Sequence, residues 1–178
     1  ESGQDRQAVI ELKAGDDIDA IVSKINAALD SQVAEVRRAT LANTTDGSTP
    51  VTLATTFAQI SGAGVADGDT IRIQGTRHDG SAVSREFVIT DAASVTMGNL
   101  LTEVRSTFGN NVSAGLDAEG RIFITDNQTG PSNLTLALVE KNEGGGSLDL
   151  GSIEVEEEGR FQMEITAENQ GGRLNLRH

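Results

Sequence analysis

Residues 17–29 read DIDAIVSKINAAL, and this stretch predicts an amphipathic helix at about 17–30. Its apolar residues recur at helical spacing and form one stripe: Ile18, Ile21, Val22, Ile25 and Leu29. Asp16 or Asp17 is the expected N-cap, because a short carboxylate accepts hydrogen bonds from the free N–H groups of the first turn. Apolar flanks predict strands at about 7–13 and 33–41.

A second stripe of the same spacing predicts another helix at about 95–108, capped by Ser94 or Thr96. Each of its members lies 79 positions after its counterpart in the first stripe: Met97, Leu100, Leu101, Val104 and Phe108. Flanking residues keep this offset, since Val9 matches Val88 and Val33 matches Val112. The shared register indicates a diverged duplication with a strand–helix–strand core.

Alternating apolar residues predict antiparallel strands through the remainder of the chain. Asp79-Gly80, residues 117–120 and Gly171-Gly172 are the expected hairpin turns. The strands around them carry apolar residues on one face: Ile71, Ile73, Val83, Phe87, Leu134, Leu136, Leu138, Ile153, Val155, Phe161, Met163, Ile165, Leu174 and Leu176. The fold class predicted is therefore α+β, mostly antiparallel β, with one amphipathic helix in each of two related small domains.

The first helical unit has few strands of its own, so the C-terminal hairpins are expected to complete it. This predicts a discontinuous first domain at 1–45 and 151–178, with a second domain at 46–150 inserted at a loop. Residues 144–146, three consecutive glycines, would form the hinge back. Two sequential domains, with the last hairpins in the second, are the simpler alternative.

Composition restricts the possible functions. The 178 residues include 14 Lys plus Arg against 27 Asp plus Glu, a net charge of −13, and no cysteine. A chain this acidic repels phosphate backbones and anionic membranes, so we expect neither nucleic acid nor membrane as a partner. No apolar run approaches the ~20 residues of a membrane span, and the first residues lack a signal-peptide pattern.

Groups suited to catalysis or metal binding are few. The two histidines are His78, in a predicted hairpin turn and expected to be solvated, and His178, the last residue. Glu154, Glu156 and Glu158 fall on one face of a predicted strand, which indicates a solvated face; a weak divalent-cation patch and a sheet edge charged against unwanted pairing are the alternatives. Asp67-Gly68-Asp69 is too short for a calcium loop, and residues 144–149 resemble a calcium-binding nonapeptide only loosely, as a single imperfect copy. We therefore expect no catalytic, cofactor-binding or metal-binding residues, and no enzyme.

The helical unit resembles the hook IN motif of bacterial flagellar axial proteins. Residues 17–29 carry it, with the name-giving core Ile25-Asn26-Ala27. The second copy spans residues 99–109 and continues through a strand, a glycine turn and the return strand from Arg121 to Asp126. It departs at the core, where Val104-Arg105-Ser106 stands in place of Ile-Asn-Ala.

Among these families, the filament-capping proteins are the most similar. The resemblance implies a structural head-domain fragment, exported to the flagellum without a cleaved signal peptide. It also implies self-association into a ring through the full-length protein, and partners among flagellin and other axial subunits. Hook and hook–filament junction proteins share the motif and remain alternatives. From another class, an extracellular adhesin or binding β-module is the rival, although sugar platforms use Trp and Tyr, which this chain lacks.

Overall fold

The computed structural model describes residues 9–30, 32–161 and 165–177. Within these residues the chain is α+β, with two α-helices and nine strands whose ladders are all antiparallel, which confirms the predicted α+β, mostly antiparallel class. Neither helix of the described part has the length and apolarity that crossing a membrane requires.

The elements are, in chain order, α1 (Ile18–Asp30), β1 (Ala34–Ala39), a 3₁₀ turn (Phe57–Gln59), β2 (Thr70–Thr76), β3 (Ala82–Val88), α2 (Met97–Thr107), β4 (Val112–Leu116), β5 (Ile122–Thr129), β6 (Thr135–Glu140), β7 (Ile153–Glu157), β8 (Thr166–Gln170) and β9 (Arg173–Arg177). They form two compact units. One comprises Ala34–Arg160, and the other comprises the described residues of Glu1–Val33 and Phe161–His178.

Two sheets build the unit Ala34–Arg160. The strand orders are β4-β5-β1-β7 and β3-β2-β6. Alternation along β2, β5 and β6 directs their apolar side chains into one core, whereas Val155 of β7, predicted on an apolar face, is 45% exposed. The largest fully buried side chains of this core are Phe57, Ile71, Ile73, Ile89, Met97, Leu100, Leu101, Phe108, Ile122, Ile124, Leu134 and Leu150.

Local signals determine the ends of α2. Thr96 is its N-cap, and its Oγ1 accepts a 3.3 Å hydrogen bond from Asn99 N. The Asn99 side chain accepts in return from Thr96 N at 2.8 Å, which completes a capping box. Gly109 follows the helix with a φ of +69°, a conformation that favours glycine at a helix end.

The other unit consists of α1 and the β8–β9 hairpin, which pack against each other. Asp17 Oδ1 accepts from Ala20 N at 2.8 Å and caps α1, while Asp16 forms a 2.5 Å ion pair with Lys24. The hairpin turns at Gly171-Gly172, where both residues have positive φ, as a two-residue turn requires.

Several sequence-based expectations were wrong. Residues 9–13 form no strand, and the Val9 side chain is 94% exposed. The predicted strand at Phe161–Ile165 is absent at both ends, since Phe161 and Ile165 lie outside any strand, and Met163 lies outside the described residues.

Two strands assigned to the first domain pair elsewhere. β1 hydrogen bonds to β5 on one side and to β7 on the other, so both β1 and β7 belong to the unit Ala34–Arg160. A pairing partner is chosen by burial across the whole sheet rather than by neighbouring sequence, and the local pattern of 33–41 could not indicate it.

The predicted duplication is not reflected in the surroundings of the helices. α2 packs against β3 and β4, which flank it in the chain. α1 packs instead against β8 and β9, from the far end of the chain. The common stripe reflects what any amphipathic helix needs in order to bury one face.

Candidate interaction site

His78 is not the solvated turn residue expected from its sequence position. Its Nδ1 lies 2.8 Å from Oδ2 of Asp126, a residue of β5, and the side chains are 23% and 1% exposed respectively. The two residues are 48 positions apart. No local sequence pattern connects them, so the pair could not be predicted from the sequence.

Asp126 is the centre of a buried polar cluster. Ser132 Oγ donates to its Oδ2 at 2.6 Å, and Gln128 N donates to its Oδ1 at 2.9 Å. A serine nucleophile needs its hydroxyl hydrogen-bonded to the imidazole that removes its proton, whereas this hydroxyl is bonded to the carboxylate. The arrangement therefore satisfies a buried charge and connects the β2–β3 turn, β5 and the loop that follows β5.

Glu35 is a second buried carboxyl, with only 4% of the residue exposed. Its Oε1 accepts from Arg37 Nε at 2.6 Å. Burial raises the pKa of Glu35, and the negative charges of Asp126 and Glu158 add to the shift while Arg37 opposes it. Its place in β1 points to a structural role, because the ion pair is formed within one strand.

Asp67 and Asp69, the aspartates considered above as calcium ligands, accept hydrogen bonds from backbone N–H groups. Asp69 is 3% exposed and accepts from Ala66 N at 2.8 Å and from Gly144 N at 2.6 Å. Asp67 accepts from Ala92 N at 2.8 Å. These bonds fix turns in place. Within residues 9–30, 32–161 and 165–177, no group of three or more His, Asp or Glu side chains is arranged to hold a metal ion.

Asn26, the second residue of the Ile-Asn-Ala core, joins α1 to the edge of β8. Its Oδ1 accepts from Ala167 N at 2.6 Å, and its Nδ2 donates to Ala167 O at 3.0 Å. The amide of Asn26 thereby satisfies both backbone groups of one strand residue, as a neighbouring strand would. Ala167 is 141 positions away and 3% exposed.

Arg105, the counterpart of Asn26 at the 79-residue offset, also contacts a strand backbone. Its guanidinium donates to Ala114 O in β4 at 3.0 Å and to Thr102 Oγ1 at 2.9 Å. An amide can both donate and accept, whereas a guanidinium only donates, so Arg105 satisfies the carbonyl alone. In both helices this position lies where a side chain can reach the backbone of an edge strand.

The acidic residues predicted to be solvated lie on the edge strand β7 or directly after it, and Glu154, Glu156 and Glu158 are all exposed. Arg38 of β1 lies beside them, 2.8 Å from Glu156 and 2.5 Å from Asp117. The latter pair ties the sheet to the β4–β5 turn. Glu154 and Glu157 form no ion pair with the described residues, so β7 keeps a negative outer edge.

Searches against family models, curated proteins and solved structures found no match to this chain.

Proposed function

We propose that this chain is a structural component of the bacterial flagellum and supplies the head domains of a filament cap that promotes flagellin assembly at the filament tip. The protein works outside the cell after export without a cleaved signal peptide. Its full-length form associates into a ring and contacts flagellin and other axial subunits. It acts through rigid surfaces, with no chemical step and no cofactor.

The observation that carries this proposal is the position of the residue that gives the motif its name. Asn26 bonds both backbone groups of Ala167 and so connects α1 to the β8 edge, where Asn169 also donates to Asp19 of α1 at 2.7 Å. A motif residue with such a specific structural task supports the view that residues 17–29 are a true IN motif rather than a chance string.

We also propose that the two units are separate domains, one inserted in the other. The division of the chain at 33/34 and 160/161 supports this organisation. The boundaries lie nearer the chain ends than 45 and 151, because β1 and β7 complete the sheet of the inserted domain.

The test is localisation combined with gene deletion in the source bacterium. Antibodies raised against this chain should label filament tips in immunogold electron microscopy. Deleting the gene should release flagellin monomers into the medium, and the full-length gene supplied in trans should restore filaments. Deletion of an unrelated exported protein is the control.

Each other outcome points to a different function. Labelling of the hook or of the hook–filament junction would mean that the chain belongs to a hook or junction protein and not to the cap. Labelling of the cell surface, with normal filaments after deletion, would refute the flagellar role and favour the adhesin.

A further inference from the structure

The outer edge of β7 offers backbone groups for another strand. Thr40 N donates to Ser152 O at 2.8 Å, so these two residues are a hydrogen-bonded pair next to the β1–β7 ladder. Since such pairs alternate along an antiparallel ladder, Ile153 and Val155 direct their N–H and C=O groups away from β1. No other described strand pairs with β7 on that side.

The β8–β9 hairpin also has one edge whose outward backbone groups are available to another strand. In a two-residue turn at Gly171-Gly172, the flanking Gln170 and Arg173 form a hydrogen-bonded pair, so Leu174 and Leu176 direct their backbone groups outward. Asn26 covers the opposite edge, at Ala167 of β8. Among the described strands, none pairs with the outer side of β9.

The two edges are complementary in their side chains. Three of the four outward-bonding residues have accessible apolar side chains, with exposed fractions of 45% for Val155, 43% for Leu174 and 59% for Leu176, whereas Ile153 is partly buried against the core. Among the alternate positions, Glu156 of β7 and Arg173 of β9 carry opposite charges. Glu156 also pairs with Arg38 at 2.8 Å, and Arg177 pairs with Glu168 of its own hairpin at 3.1 Å. Acidic residues on an edge strand discourage pairing with most strands, but a strand that places an arginine opposite Glu156 matches it.

We propose that β9 of one copy adds antiparallel to the β7 edge of a second copy. Ile153 then lies opposite Leu176 and Val155 opposite Leu174, so every outward-bonding residue meets another. Arg173 lies opposite Glu156, where a bulge between Val36 and Arg37 ends the regular β1–β7 ladder. Each copy has one edge of each kind, so the contact repeats head to tail and builds a closed ring or an open chain. The inference rests on the self-association included in the proposed function.

Cysteine trapping tests this register, because the chain has no cysteine of its own. Val155→Cys and Leu174→Cys proteins, one of them isotopically labelled, are mixed under mild oxidation. A hydrogen-bonded antiparallel pair has Cα atoms about 5.5 Å apart, within the range of a disulfide. The matched control mixes Leu174→Cys with Val139→Cys, since Val139 of β6 is similarly exposed at 41%.

The expected result is a mixed disulfide that forms about tenfold faster than in the control. The pairing of the two strands holds the thiols together, whereas the thiols of the control meet only by diffusion. Arg173→Glu in the Leu174→Cys chain should slow it about fivefold, because like charges then face each other. Arg72→Glu makes the same change of charge on another sheet and should leave the rate unchanged.

Equal rates for Val155 and Val139 overturn the proposal. Rings of the full-length protein in electron microscopy, without the β7–β9 cross-link, refute this edge pairing and leave the cap function standing. A cross-link in a protein that never labels filament tips refutes the cap function and leaves the pairing standing.

Discussion

Replacing Asn26 by alanine should loosen the unit that contains α1 and the β8–β9 hairpin. The substitution removes the acceptor of Ala167 N and the donor to Ala167 O at once. Ala167 is 3% exposed, so water has little access to the two groups left without partners. The side chain of Asn26 thus carries a connection between elements from opposite ends of the chain.

The magnitude follows from those two bonds. A buried donor or acceptor left unsatisfied costs about 1–3 kcal/mol. Alanine recovers about 0.5 kcal/mol through its higher helix propensity. Partial relaxation around the smaller side chain reduces the loss further, and we expect the free energy of unfolding of this unit to fall by about 2 kcal/mol.

Amide hydrogen exchange measured by NMR is the suitable assay, because the chain contains no Trp or Tyr for intrinsic fluorescence. A loss of 2 kcal/mol corresponds to exchange about 30-fold faster at the Ala167 amide. Amides of β2 and β5 provide the internal reference. Asn175→Ala is the matched control: Asn175 of β9 is exposed and its side chain donates to Gln170 Oε1 at 3.1 Å, a bond between two exposed side chains, so it should change stability by less than about 0.5 kcal/mol.

An Ala167 amide that exchanges at the wild-type rate in Asn26→Ala would refute the reasoning. It would mean that packing of α1 alone protects the β8 edge, and that the amide of Asn26 contributes nothing net. Equal effects of Asn26→Ala and Asn175→Ala would lead to the same conclusion.

Three further changes probe the unit Ala34–Arg160. Asp126→Ala should lower the free energy of unfolding by about 3 kcal/mol, because the donors on His78 and Ser132 lose a buried charged acceptor, and urea titration followed by circular dichroism would measure this. Burial raises the pKa of Glu140 above its ordinary 4.5, so its contribution to stability is fully present below pH 4.5 and is lost as pH rises through the raised value. Glu140→Gln should remove that loss, and urea midpoints from pH 4.5 to neutrality should then fall less steeply than in the wild type. Gly75→Ala should separate β2 from β6, because a Cβ would lie 2.0 Å from Thr135 O, and a loss above about 2 kcal/mol in the same titration is expected.

Short-range patterns predicted the ends of α2 and the hairpin turns correctly, because their determinants lie close together in the chain. α2 begins at Thr96 and ends before Gly109 because capping and left-handed backbone are properties of adjacent residues. The hairpin turn at Asp79-Gly80 was predicted for the same reason, and Gly80 has a φ of +83°.

The candidate site was accessible to sequence reasoning only in part. The resemblance drew attention to Asn26, and alternation placed the glutamates of β7 on a solvated face. The partner of Asn26 could not be predicted, since Ala167 lies 141 positions away and has no distinctive side chain. The same holds for His78 and Asp126, whose pairing depends on how the β2–β3 turn meets β5.

The sequence by itself determined the two amphipathic helices, their caps, most hairpin turns and an acidic, cysteine-free surface, because periodicity and turn chemistry act over a few residues. Only the tertiary structure decided that β1 lies between β5 and β7, and which edges α1 and α2 cover. Strand pairing depends on burial and hydrogen bonding summed over whole sheets. The sequence of β1 does not indicate its partners, and only the pairing with β5 and β7 satisfies both requirements.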